Sequence, residues 1–385
     1  MSEKEEILMK RKLGRNTMKK AAAFLLGVTL IMGMSGCGVT REEDGTSAAP
    51  TESSSEAGDA SEASSEDGSA SKDGLIPVTF QSKWIPQAQF MGYYVALDKG
   101  YYEEEGLDVT ILPGGSDINV PSVVESGTAQ IGTTNLYNVL SYQEQGYPLT
   151  TIGQVMQDSP FVFVCHKDQV SSIADLKGKT LGVWTAGNDA PVRALLTKNG
   201  MDPDMAATLA SQGTTIDGFL DGTFAGYSAM TYNELLLAYE AGYTDDDLYI
   251  INMEQEDCGM LADCIFVNSD WLKDNRETAE KFMRATIKGW AYACENTKEA
   301  ADIVYSYMDK SSADYDHQVK SAEEVAKLVL PEGMDASQIC TIPADKVQNS
   351  IDIALQYGII TKDTDLNTVY DTSIMEDITS GSTAE

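Results

Sequence analysis

Two aromatic side chains and an amide lie close together near the start of the folded sequence: Trp84, Gln89 and Tyr93. The segment before them, from Val78, alternates as a β-strand does, Pro86 ends it, and the residues that follow have the spacing of a helix. Aromatic rings provide stacking surfaces and amides provide fixed donors and acceptors, so this group is typical of a pocket for a planar polar ring. The alternative is that the aromatic residues only pack in a core.

A second group of the same kind occurs further along the chain. Trp184 and Asn188 follow one predicted strand, Tyr232 and Glu234 follow another, and Asn135 follows a third. A carboxylate only accepts hydrogen bonds, so Glu234 suits an amino group or a protonated ring nitrogen, while Trp184 and Tyr232 offer ring faces. The alternative for Glu234 is charge compensation at a helix N-terminus, and for both asparagines a turn or a helix cap.

The elements that must position these groups alternate between strand and helix from Val78 onward, which predicts an α/β fold with mainly parallel strands. Open sheets of this kind bind ligands where strand ends meet helix starts. We expect two crossings between two lobes, near 164–168 and 262–266, to form a hinge. Helical spacing at 279–294 predicts a packing helix with Trp290 in the core. The expected division is 76–166 for the first part of lobe 1, 167–263 for lobe 2, 264–376 for the return to lobe 1 with C-terminal helices, and 377–385 for a disordered tail.

The N-terminal residues indicate export. Lys19 and Lys20 precede an apolar run of about 14 residues, short of the roughly 20 that a spanning helix needs, so residues 1–36 are predicted to be a signal peptide. Met18 is an alternative start. The end of the run resembles a bacterial lipobox, which implies a lipid anchor on Cys37 at the extracytoplasmic face of the cell membrane. The acidic, serine-rich residues 37–75 are predicted to be a tether.

Composition excludes several function classes. The formal net charge of −33 argues against a nucleic-acid partner. Six cysteines without a Cys-x-x-Cys pair, and two histidines, argue against a zinc, redox or Ser-His-Asp site, and no dinucleotide-binding glycine fingerprint occurs. We therefore expect no metal and no cofactor. Cys258 and Cys264 either form a disulfide or are separate buried thiols.

Residues 84–111 and 176–200 carry a family resemblance. They resemble the substrate-binding proteins of ABC importers, in the branch that binds thiamine pyrimidine precursors and includes the yeast pyrimidine-precursor synthases. The resemblance implies a two-lobed type II periplasmic-binding-protein fold with a ligand cleft between the lobes. It also implies a small aromatic ligand of the aminopyrimidine class and a monomer that delivers its ligand to an ABC-importer permease and ATPase complex. We expect no catalysis, because this sequence lacks the catalytic motif of the yeast synthases.

Other ligands and one other function remain open. Residues 230–234 also resemble relatives thought to bind riboflavin, a larger fused ring. Sulfonate- and nitrate-binding proteins share the fold, but Arg193, the only arginine near the second group, lies inside a predicted helix and is poorly placed to bind an anion. The yeast synthases carry a cysteine-dense motif and a histidine that donates to the product, and this sequence has neither.

Overall fold

The computed structural model describes residues 74–115, 117–185, 188–311 and 313–381. The predicted signal peptide, the lipidation site Cys37 and all but the last residues of the predicted tether lie outside the described residues. Within the described part, no helix is both long enough and apolar enough to cross a membrane.

The strands of the described residues form two five-stranded sheets, with strand orders β2-β1-β3-β10-β4 and β7-β6-β8-β5-β9. We call the parts built on them lobe 1 and lobe 2. The strands are β1 (Ile76–Gln81), β2 (Leu107–Leu112), β3 (Ile131–Thr134), β4 (Leu149–Gln154), β5 (Phe161–His166), β6 (Thr180–Val183), β7 (Thr208–Ser211), β8 (Gly226–Met230), β9 (Leu248–Asn252) and β10 (Cys264–Asn268).

Each sheet contains a strand that arrives from the other lobe and runs antiparallel to its neighbours. β1 is parallel to β2 and β3, whereas β10 is antiparallel to β3 and β4. In lobe 2, β6 is parallel to β7 and β8, whereas β5 is antiparallel to β8 and β9. The α/β fold with two lobes is confirmed.

The first crossing was predicted too late in the chain. β5 pairs with β8 and β9, so residues 161–166 belong to the sheet of lobe 2, and the chain leaves lobe 1 between Gln154 and Phe161. The reverse crossing runs from β9 to β10 through residues 253–263. β5 is apolar and buried on both faces up to Cys165, so its side-chain pattern carries no mark of which sheet it joins.

The helices of the described residues cover both sheets. They are α1 (Met91–Asp98), α2 (Tyr101–Glu104), α3 (Val120–Glu125), α4 (Leu136–Glu144), α5 (Ala190–Lys198), α6 (Asp217–Leu220), α7 (Glu234–Glu240), α8 (Ser269–Glu295), α9 (Thr297–Ser306), α10 (Tyr315–Val329), α11 (Ala344–Gln356), α12 (Leu366–Val369) and α13 (Ser373–Ser380).

The longest helix, α8, packs against α1 at very short range. A Cβ on Gly289 would lie 2.3 Å from the carbonyl oxygen of Gly92, and a Cβ on Gly92 would lie 2.1 Å from the Trp290 ring. Only glycine permits this approach. Trp290 is fully buried, as its helical spacing predicts. The helix starts at Ser269, before the predicted stretch, with a kink at Asn275.

The C-terminal helices pack on lobe 1. The prediction that residues 377–385 are disordered is wrong for residues 377–380. α13 extends through Ser380, with Ile374 and Met375 buried. Arg276 of α8 donates to Asp377 at 2.6 Å. Buried apolar side chains and this ion pair hold a segment whose polar composition alone does not predict order.

Candidate functional site

A cavity of about 270 Å³ lies between the lobes, lined mainly by residues that follow the ends of β1, β2, β3, β6, β7 and β8. Seven of the eight residues that the sequence predicts as ligand contacts line it. They are Trp84, Gln89 and Asn135 from lobe 1, and Trp184, Asn188, Tyr232 and Glu234 from lobe 2. The structure therefore brings the two sequence groups together, and their contact with a ligand remains a prediction.

Tyr93 is the exception, and its assignment to the cavity is corrected. The side chain is 1% exposed and lies in the core of lobe 1. Its ring centroid is 4.4 Å from that of Phe80 and 5.6 Å from that of Trp290. Burial raises the pKa of Tyr93 well above its usual value. The α1 face that carries Tyr93 is covered by α8, so the ring packs against that helix and does not face the cavity.

A buried ion pair forms part of the lobe 1 wall. The Lys83 ammonium contacts Asp263, which is 1% exposed, and donates to Asn135 Oδ1 at 2.8 Å. Gln89 Nε2 donates to the other oxygen of Asp263 at 2.7 Å, and Gln87 Nε2 donates to Gln89 Oε1 at 2.8 Å. Both Asp263 oxygens thus have partners, which a buried carboxylate requires. The network fixes the amide side chains that face the cavity.

The lobe 2 wall carries a buried carboxylate. Glu234 is 7% exposed at the first residue of α7. One oxygen accepts from the backbone N–H of Met230 at 3.0 Å and the other from Asn233 Nδ2 at 2.7 Å. Burial raises the pKa of Glu234, while these hydrogen bonds and the positive charge of Lys83 act in the opposite direction. Glu234 thus does occupy a helix N-terminus, but it also faces the cleft.

Asn188 links the two lobes. Its Oδ1 accepts from Asn135 Nδ2 at 3.2 Å, from the Tyr137 hydroxyl at 3.2 Å and from Asn138 Nδ2 at 3.3 Å, all in lobe 1. Its own Nδ2 donates to the Thr185 carbonyl at 3.2 Å. Asn135 occupies the N-cap position of α4, yet its side chain makes no capping bond and serves this contact instead.

The three predicted aromatic residues that line the cavity are held by different means. The backbone of Trp84 is held by a hydrogen bond in which its carbonyl accepts from the Gly114 N–H at 2.9 Å. Trp184 packs edge-on against Phe161, with ring centroids 5.7 Å apart. Tyr232 is 2% exposed, and burial raises the pKa of its hydroxyl well above the usual value.

Sequence reasoning missed several residues of the site. Lys83 lines the cavity, but a lysine beside a predicted aromatic contact gives no warning that its charge is neutralised by Asp263, far along the chain. The φ of +58° at Asp263 is likewise invisible in the sequence. Ser211 lines the cavity from the end of β7, a short strand whose partly exposed residues lack a clear pattern.

The cysteines take no part in this site. Cys258 and Cys264 are buried and are not joined in a disulfide. Burial raises the pKa of the Cys258 thiol to about 11. The described residues contain no group of three or more histidine, cysteine or acidic side chains arranged to hold a metal ion.

The two-sheet architecture has close counterparts among solved structures. The periplasmic nitrate-binding protein NrtA of Synechocystis PCC 6803 superposes with a TM-score of 0.62 at 11% identity, covering 80% of this chain and 89% of that one. The periplasmic aliphatic sulphonate-binding protein SsuA of Escherichia coli gives 0.58 at 12% identity, covering 78% of this chain and 99% of that one. The chain therefore has the periplasmic-binding-protein fold, with its cavity between the two lobes.

Sequence similarity identifies one family among the proteins with this fold. The model of the NMT1/THI5-like family matches residues 87–300, and the chain belongs to this family. It is 26% identical over 234 residues to the 4-amino-5-hydroxymethyl-2-methylpyrimidine phosphate synthase of Candida albicans, covering 58% of this chain and 69% of the relative. It is also 26% identical over 248 residues to the riboflavin-binding protein RibY of Chloroflexus aurantiacus, covering 62% and 68%. The resemblance drawn from the sequence is confirmed.

Proposed function

We propose that this protein is the extracytoplasmic solute-binding component of an ABC importer and that its ligand is an aminopyrimidine of the thiamine-precursor type. The observation that carries the proposal is the Glu234 carboxylate, buried in a cleft that also presents Trp84, Trp184 and Tyr232. A carboxylate offers about four acceptor positions. The Met230 N–H, the Asn233 side chain and the backbone N–H of Glu234 itself occupy three of them, so one acceptor position remains for an amino group of a stacked ring.

The size of the cavity favours a single ring. Its volume of about 270 Å³ lies just below the range of roughly 300–1,000 Å³ for small-molecule sites. An aminopyrimidine needs less space than a fused three-ring system. Riboflavin is the second candidate, supported by the similarity to RibY.

The charges of the site disfavour an anionic ligand. Among the described residues that line the cavity, Lys83 is the only cationic side chain, and Asp263 already pairs with it. Glu234 places a negative charge at the N-terminus of α7, where an anion would otherwise be bound. Arg193 pairs with Asp189 and with Asp204 at 2.5 and 2.7 Å. A sulfonate or nitrate would therefore meet repulsion here.

A pyrimidine-forming enzyme is the rival function, since several relatives carry synthase names. The described residues that line the cavity include neither histidine nor cysteine. These are the side chains that the resemblance associates with catalysis in the yeast enzymes. Binding and release by lobe movement needs neither, which supports a transport role.

The proposal includes export and a lipid anchor on Cys37, after which the protein acts as a monomer beside a permease and ATPase complex. Fatty-acid labelling of cells tests the anchor. Wild-type protein should take up the label and Cys37→Ala should not. Equal labelling of the two would contradict the anchor.

Calorimetry with four ligands tests the ligand class: formylaminopyrimidine, hydroxymethylpyrimidine, riboflavin and taurine. We expect a pyrimidine to bind most tightly and Glu234→Gln to weaken it about ten- to a hundredfold, because an amide replaces a charged acceptor. Glu254→Gln, which changes an acid outside the cavity lining, should bind as wild type does. Tight taurine binding that is indifferent to Glu234→Gln would contradict the proposal.

A further inference from the structure

His317 lies at the contact between the lobes and is outside the cavity lining. It belongs to α10, which packs on lobe 1, where Gln318 Oε1 accepts from the Ala88 N–H at 2.8 Å. The His317 side chain is almost fully buried. Both of its ring nitrogens face lobe 2. Nδ1 is 3.0 Å from Glu240 Oε2, and Nε2 is 2.8 Å from Asn233 Oδ1.

The orientation of Asn233 is set by its neighbour. Its Nδ2 donates to Glu234 Oε1 at 2.7 Å, so its carbonyl oxygen is the atom that faces His317. An amide oxygen and a carboxylate are both acceptors, and neither can donate to a ring nitrogen. Both hydrogen bonds of His317 therefore require an N–H, which only the imidazolium form provides at both positions.

Several charged groups lie around the ring. Glu240 contacts the ring directly and shares its other oxygen with Lys320 Nζ at 2.9 Å. Asp314, at the N-terminus of α10, accepts from the His317 backbone N–H at 3.2 Å. Glu234 lies beyond Asn233. Three acids and one lysine thus lie around the ring, and Glu240 is the acid whose oxygen contacts a ring nitrogen.

We propose that a doubly protonated His317 is a positioning residue that, through Asn233, holds the Glu234 carboxylate in its orientation toward the ligand and joins lobe 1 to lobe 2. This assignment rests on the proposed role of Glu234 in binding. It also explains the orientation of the Asn233 amide. If the amide were flipped, its NH2 group would face the protonated Nε2 of His317, and its oxygen would face the Glu234 carboxylate.

The protonation state is tested directly by nitrogen NMR of the full-length protein labelled in its histidines. The chain has two histidines, so His317→Phe assigns the signals by subtraction. We expect both ring nitrogens of His317 to be protonated at neutral pH. Glu240→Gln supplies an amide that can also donate, so the doubly protonated fraction should fall. A neutral His317 ring in the wild type would overturn the proposal.

Ligand affinity tests the positioning role. His317→Phe removes both donors and should weaken aminopyrimidine binding about tenfold. His166→Phe is the matched control, because the His166 ring stacks on Phe219 with centroids 3.7 Å apart and its Nε2–H donates to the Phe219 carbonyl at 2.8 Å, away from the cavity. It should bind as wild type does. Equal affinities for wild type and folded His317→Phe would overturn the positioning role.

A double-mutant cycle covers the case in which His317→Phe folds poorly. Asn233→Ala breaks the same link at its centre, so adding His317→Phe to it should cost little further affinity. Fully additive losses would contradict a relay. If no aminopyrimidine binds the wild type, the proposed function fails, and the NMR spectrum of His317 still decides whether the ring is charged.

Discussion

The two walls of the cleft are built from similar residues in different ways. In lobe 2, all four predicted contacts line the cavity: Trp184, Asn188, Tyr232 and Glu234. In lobe 1, Tyr93 packs in the core, while the remaining polar residues are held by the Lys83 ion pair.

The difference follows from what covers each helix. Tyr93 is already within α1, which lies beneath the long return helix α8 and the following α9. Trp184 and Tyr232 instead precede their helices, in the turns after β6 and β8. Turn residues at a strand end face the cleft. Residues in the first turn of a helix that other helices cover pack against those helices instead. Among these three aromatic residues, position relative to the helix start therefore separates those that line the cavity from the one that packs in the core.

Tyr93→Ala gives the largest expected effect of this comparison, on stability. The ring is buried between Phe80 and Trp290, so its loss should cost about 3–5 kcal/mol of unfolding free energy. Trp84→Ala, at a half-buried position in the cavity wall, should cost clearly less. Urea unfolding of the two variants measures both. If Tyr93→Ala were as stable as wild type but unable to bind ligand, Tyr93 would be a ligand contact and not a core residue.

Trp84→Ala and Trp184→Ala should show the converse pattern. Each removes a stacking surface from one wall and should weaken aminopyrimidine binding by about 1–2 kcal/mol, or roughly five- to thirtyfold. Calorimetry on folded variants measures this. Trp271→Ala, in α8 away from the cavity, serves as the control for loss of a partly buried tryptophan. A loss confined to one of the two walls would mean that the ring stacks on that lobe alone.

Asn188→Ala tests the link between the walls. The variant removes an oxygen that accepts from Asn135, Tyr137 and Asn138, so closure of the lobes should be disfavoured by about 1 kcal/mol. Affinity should fall about fivefold, and X-ray scattering should show a larger radius of gyration. Asn199→Ala, which breaks a bond to Leu195 within lobe 2, should change neither. Unchanged scattering and affinity for Asn188→Ala would show that these bonds do not govern closure.

Much of this architecture could be predicted from local patterns. The alternation at Val78 and Phe80 predicts β1, and the spacing around Trp290 predicts α8. What failed depended on distant partners. The apolar run of β5 fits either sheet, and α13 is ordered by Arg276, about a hundred residues earlier in the chain.

The site was predictable to the same degree. Aromatic and carboxylate residues after strand ends identify the cavity because open sheets place ligands there. The links that hold those residues come from elsewhere in the sequence. Asp263 reaches Lys83 and Gln89, and His317 reaches Asn233, across separations that no local pattern encodes.

The smallest expected effect is a gain in stability for Glu234→Gln without ligand. Burial raises the pKa of Glu234 above its usual 4.5, so between that value and its folded pKa the native state binds more protons than the unfolded state. Wild-type stability should therefore fall as pH rises through this window. Glutamine carries no charge, so the variant should be more stable than wild type at pH 7, with the difference vanishing below about pH 4. Thermal unfolding across pH 4 to 8 measures it. A variant less stable than wild type at every pH would mean that the hydrogen bonds from Met230 and Asn233 outweigh the cost of burying the charge of Glu234. The buried carboxylate of lobe 2 would then be stabilised by its partners, as Asp263 is in lobe 1.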